Sequence, residues 1–156
     1  MSRTSMLGSW RGVYEYDPEF KINLRTGFVL DLHPTKWTWL TGGFYGSVQD
    51  LEGGVPGVGT IHGSTSWGAI QFLKTMPVAY GFENGKPVSI ATALREKGHS
   101  VESEIKGFPI IYTGKRTDED KAAGKWTISS FRFLVDGRMA QYPGKISGRW
   151  TMQRTA

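Results

Sequence analysis

The feature that most constrains this chain is a repeated alternation of apolar and polar residues in short runs, each stopped by Gly, Pro, Asn or Asp. A period of two sends successive side chains to opposite faces of an extended segment, so such runs read as half-buried β-strands. In the run 10–16, Trp10, Tyr14 and Tyr16 share one face before Asp17-Pro18 ends it. The run from Phe28 to His33 alternates again and stops at Pro34. Trp37 and Trp39 share a side in the next run, which Gly42-Gly43 bends, and Phe44, Gly46 and Val48 share a face in the run 44–50. Runs at 58–64 and 69–75 flank Ser66-Trp67-Gly68, which reads as a hairpin connection. A short strand at 78–82 ends at Asn84-Gly85, a pair suited to a tight turn with positive φ. Further strands are expected at 87–94, 100–106, 110–115, 126–134 and 146–153, with a turn at Asp136-Gly137.

The run 126–134 conflicts with itself. Trp126, Ile128 and Leu134 have one parity while Phe131 and Phe133 have the other, so either a bulge near Ser129-Ser130 shifts the register or both faces are covered. Helix-forming composition is confined to 118–123, stopped by Gly124, with room for one helical turn between Asp17 and Gly27.

A chain of 156 residues is expected to form one domain, 1–156, able to bury roughly two-thirds of its surface without staples. Its 21 Gly are about twice average usage, and aromatics make up 13%, a composition suited to many short strands joined by tight turns. The expected fold is therefore all-β: an antiparallel up-and-down β-barrel of about 8–10 strands, with a sandwich as the alternative. Closure removes exposed edges, and few Lys or Pro are positioned here to blunt long ones.

The sequence has no Cys, which excludes disulfides, thiolate nucleophiles and zinc–thiolate sites and favours a reducing compartment. No signal-like apolar stretch opens it and no run approaches the ~18 apolar residues of a membrane span, so a cytoplasmic location is expected. The net charge of +5 is carried by the last fifth of the chain, where Lys125, Arg132, Arg138, Lys145, Arg149 and Arg154 face one acid, Asp136. A solvated basic face accounts for this, with an anionic partner as the alternative.

Gly8-Ser9-Trp10 opens the first strand, and Arg154 shares parity with Trp150 and Met152 on the last. A Gly-x-Trp on strand one with a terminal-strand Arg over the Trp resembles the signature of the calycin superfamily, which comprises lipocalins, fatty-acid-binding proteins and avidins. The resemblance implies a barrel plugged at one end by a Trp–Arg stack. Gly-x-Trp recurs at Gly124-Lys125-Trp126 and Gly148-Arg149-Trp150. The chain departs from lipocalins in lacking Cys and a helix after the last strand. Its 17–27 segment is too short for the two helices of fatty-acid-binding proteins. The biotin-contacting polar set of avidins is not matched, and no His follows His99 to serve a haem.

His33, His62 and His99 are too far apart for a local metal motif, and no carboxylate pair is arranged for acid–base work. Asp50 reads as the cap of the Gly-rich turn that follows it, Glu102 and Glu104 as solvent-facing, and Asp118-Glu119-Asp120 as a solvated run. The glycines of 53–59 precede a strand and lack the Lys-Ser/Thr of a phosphate loop. Lys74 follows the parity of Ile70 and Phe72, and Arg132 that of Trp126 and Ile128; pointing inward, each needs a partner or an anionic ligand, and otherwise each reaches water at a strand end. The lumen candidates are Tyr14, Phe44, His62, Phe72, Lys74, Trp126 and Arg132. They suggest a barrel that binds a small, largely apolar molecule with an anionic group in its open end. A lumen filled by Trp and Phe would instead make an interaction module, and a titrating lumen residue a cofactor-free enzyme acting on a lipid-like substrate. No catalytic residue, metal or cofactor is assigned. Nucleic acid is disfavoured because the aromatics have core-like spacing.

Overall fold

The computed structural model describes residues 5–36, 41–142 and 144–155; the run containing Trp37 and Trp39 lies outside them. The strands are β1 (Gly8–Tyr16), β2 (Arg25–Pro34), β3 (Gly43–Asp50), β4 (Val58–Ser66), β5 (Ala69–Thr75), β6 (Tyr80–Glu83), β7 (Lys86–Ser89), β8 (Ile110–Asp118), β9 (Lys121–Ile128), β10 (Phe131–Val135), β11 (Arg138–Tyr142) and β12 (Ile146–Arg154). A short helix, α1 (Ile90–Glu96), follows β7, and Pro18–Phe20 form a single 3-10 turn in the segment where one was expected. Eight strands close an antiparallel barrel in the order β1-β12-β9-β8-β5-β4-β3-β2. This is the expected up-and-down meander, interrupted by two inserted hairpins: β6–β7 with α1 lies between β5 and β8, and β10–β11 between β9 and β12. Both insertions leave from the same rim, which we call the mouth.

At the far end Trp10 pairs with Arg154 in the β1–β12 register. The Arg154 guanidinium lies 4.5 Å from the Trp10 ring centre, the stack implied by the two residues' positions in the sequence. The Trp10 indole N–H donates to the Met6 carbonyl at 2.8 Å, while Arg154 donates to the carbonyls of Leu7 and Ser5 and to Asp120. The 5–7 segment is thereby tied across the end of the barrel.

The glycine content has a packing explanation. On the lumen side, Gly124 pairs with Trp150 and Gly148 with Trp126. A Cβ on Gly148 would sit 2.5 Å from the Trp126 ring, and one on Gly114 2.7 Å from the Trp150 ring. The large indoles fit in the lumen because the facing positions have no side chain. The recurrence of Gly-x-Trp follows: Gly and Trp two apart share the inward face, each complementing the opposite member on the neighbouring strand.

Four expected elements differ. The run 126–134 is two strands, because the chain leaves the barrel at Ser129-Ser130 and Phe131 begins a separate hairpin; this resolves its parity conflict. The 118–123 segment is a strand–turn–strand: Asp118 Oδ1 accepts the Asp120 N–H at 2.8 Å, a local turn that outcompetes helix. The helix starts instead inside the run 87–94 and continues to Glu96; the Ser89 hydroxyl accepts the Thr92 N–H at 3.1 Å and caps it, while 100–106 is irregular.

Candidate functional site

Alternation along β1, β3 and β5 carries Tyr14, Asp50 and Lys74 into the lumen near the mouth, because β3 and β5 both end on that rim. Lys74 Nζ donates to Asp50 Oδ1 at 2.7 Å, with both side chains almost fully removed from solvent. The second carboxylate oxygen accepts the Tyr14 hydroxyl at 2.8 Å and the Val55 backbone N–H at 3.1 Å. Lys74 Nζ also lies 4.7 Å from the centre of the Tyr14 ring. The Gly-rich loop after β3 folds over this cluster, and Gly54 packs so closely on Asp50 and Thr26 that a Cβ there would meet atoms of both at 2.6 Å. Asp50 does cap that loop, as expected, and is also the partner that Lys74 requires.

Burial pushes the Lys74 ammonium below its ordinary value, although the Asp50 charge pulls the other way. Burial, and then the Asp50 carboxylate, hold the Tyr14 phenol far above its usual range, so it stays protonated and serves as a donor. Tyr16 and Tyr112 are raised too, chiefly by burial.

Tyr14 and Lys74 of this cluster line a small apolar cavity of about 40 Å³, with Met76, Phe108, Tyr112 and Trp126 among its other walls and Asp50 behind them. At roughly 10–15 Å³ per water it has room for a few waters or the head of a larger molecule. Tyr16, Tyr80, Phe82, Phe108 and Ile128 line both this cavity and a groove of about 380 Å³ between the two inserted hairpins. Ring contacts hold the hairpins over the rim: Phe82 meets Tyr16 edge-on at 6.1 Å, and Phe131 stacks on Phe108 at 4.0 Å.

Of the lumen candidates, Tyr14, Lys74 and Trp126 line the cavity. Phe44 and Phe72 are buried deeper, their rings 6.4 Å apart, with Phe72 stacked on Tyr112 at 4.7 Å and beside Trp150 at 5.9 Å; they fill the lumen. Two candidates face elsewhere. His62 is exposed on the outer surface, since the inward positions of β4 are Gly59, Ile61 and Gly63, and glycines hide that face from a hydropathy reading. Arg132 is exposed on β10, outside the barrel, because the strand assumed to carry it inward ends at Ile128. His33 and His99 are exposed beside Asp31 and Asp136, and among the described residues no group of three or more His, Cys, Asp or Glu is placed to hold a metal ion. No helix of the described residues is long and apolar enough to cross a membrane. Sequence reasoning missed Asp50 as a lumen residue, although its parity with Phe44 and Val48 carried the signal. Compared with known protein families, characterised proteins and solved structures, the chain matches none.

Proposed function

We propose that this is a calycin-like barrel that binds a small, largely apolar molecule in its mouth. The observation supporting the reading is the continuity of an apolar groove with a cavity whose floor carries one buried polar cluster, Tyr14–Asp50–Lys74. Binding sites are commonly built this way, with apolar walls and a few convergent polar groups. The tail of the ligand lies between the inserted hairpins and its head enters the cavity. A neutral head suits the floor better than an anionic one: Lys74 is already neutralised by Asp50, so a carboxylate would bring uncompensated charge into a low-dielectric site. The cysteine-free sequence suits a reducing compartment, and the reading assigns the barrel to the cytoplasm.

The test is Trp fluorescence and native mass spectrometry with medium-chain alcohols, amides and fatty acids. Octan-1-ol is expected to bind with a change in emission that Trp126→Phe diminishes, and octanoate to bind more weakly. Absence of binding by every probe in both measurements overturns the reading. The volume of the cavity, about 40 Å³, favours a second reading in that event, an interaction module whose apolar groove takes side chains of a protein partner.

A further inference from the structure

We propose that Lys74 is a carbonyl-capturing amine that holds an apolar aldehyde in the mouth as a reversible imine, with Asp50 as its proton exchanger and counter-ion. The inference rests on the small-molecule-binding reading and names the class of ligand. The chain has ten lysines, and Lys74 is the one among them that is buried. It is also the lysine that lines the cavity, among apolar neighbours such as Met76, Phe108 and Trp126. Asp50 is pinned through its other oxygen by Tyr14 and Val55, so Oδ1 stays 2.7 Å from Nζ, within direct proton-transfer distance. Burial favours the neutral amine, the nucleophilic form.

The chemistry balances with these groups alone. The ammonium gives a proton to Asp50, and the Nζ lone pair forms a C–N bond to the aldehyde carbon. The carbonyl oxygen then takes two protons, one returned through Asp50 and one from the nitrogen, and leaves as water. The iminium keeps the single positive charge that the ammonium had, so the carboxylate remains its counter-ion and the net charge of the buried pair is unchanged. Bound fatty acid, by contrast, would add a charge. Imine formation therefore attaches a ligand at this floor without burying a new ion.

The experiment is borohydride trapping of the wild-type protein with octanal, followed by peptide mapping, with and without excess octan-1-ol. Trp emission reports binding of the alcohol independently. The expected result is one octyl group on Lys74, formed in preference to the nine exposed lysines and suppressed by octan-1-ol. Lys74→Arg is expected to lose the adduct; if that variant does not fold, competition by octan-1-ol on the wild type still gives the answer. Octan-1-ol binding with adducts on surface lysines alone, or with Lys74 labelling that the alcohol does not suppress, overturns imine capture and leaves the binding reading intact. Failure of octanal and octan-1-ol to bind at all overturns both.

Discussion

Lys74 and Asp50 lie 2.7 Å apart with almost no solvent contact on either side chain, near the mouth of an otherwise largely apolar lumen. Removing one member strands the other. Lys74→Met or Asp50→Asn alone is expected to cost about 3–5 kcal/mol in urea unfolding. The double replacement Lys74→Met/Asp50→Asn should be less damaging than the sum of the single changes, since it buries no unpaired charge; simple additivity would mean that the two groups do not act as a pair.

Arg154 closes the far end through its fork as well as its charge, covering Trp10 and reaching the carbonyls of Ser5 and Leu7 and the Asp120 carboxylate. Arg154→Ala should lower stability by about 2–3 kcal/mol. Arg154→Lys should recover little of it, because an ammonium cannot span the same acceptors. Thermal unfolding of the two variants side by side tests this, and full recovery by Lys would reduce the role of the residue to charge alone.

At Gly148 a Cβ would lie 1.9 Å from the Glu15 carbonyl oxygen and 2.5 Å from the Trp126 ring. Gly148→Ala is expected to destabilise by about 3 kcal/mol through overpacking. Gly81→Ala is the control, since nothing lies within 4 Å of its Cβ position, and its denaturation midpoint should stay near that of the parent.

Trp67 sits at the tip of the β4–β5 hairpin with φ +53°, fully exposed, followed by Gly68 at φ +82°. Its ring buries nothing, while its backbone is left-handed. Trp67→Asn should therefore stabilise the protein by about 1 kcal/mol, visible as a raised midpoint, because Asn-Gly is the favoured pair for such a turn.

The β10–β11 turn is moored to the 99–100 segment by Asp136, which accepts the Ser100 N–H at 2.6 Å and contacts His99 Nδ1 at 2.7 Å. The Ser100 hydrogen bond, and then His99, lower the Asp136 carboxyl below its ordinary value. A lowered folded-state value means that the mooring is intact above the ordinary carboxylate range and is lost as pH falls through that lowered value. Protection of the Ser100 amide, its exchange rate taken relative to the intrinsic rate at each pH, should therefore hold through the ordinary carboxylate range and fall only below it, and Asp136→Asn should abolish that pH dependence.

The barrel was legible in the sequence because β1 to β5 and β12 alternate between Gly- or Pro-marked turns, whereas the first half of β9 has helix-forming composition and shows no such pattern. Asn84-Gly85 and Asp136-Gly137, with positive φ at both positions, turn the two inserted hairpins as their chemistry dictates. The signal failed where a face is lined by glycine. On β4 the inward glycines Gly59 and Gly63 have no hydropathy to show, so sequence alone does not separate their face from that of His62. Arg132 differs for another reason: nothing local distinguishes a strand that continues through Ser129-Ser130 from one that stops and restarts in another sheet. The Lys74–Asp50 pair needed knowledge of which strand ends share a rim, and that is set by closure of the whole barrel.

Rings fill the lumen beneath Lys74, and Arg154 seals the far end over Trp10. A barrel closed at one end has a single opening, and the β6–β7 and β10–β11 hairpins are pinned over that opening by two ring contacts, Phe82 on Tyr16 and Phe131 on Phe108.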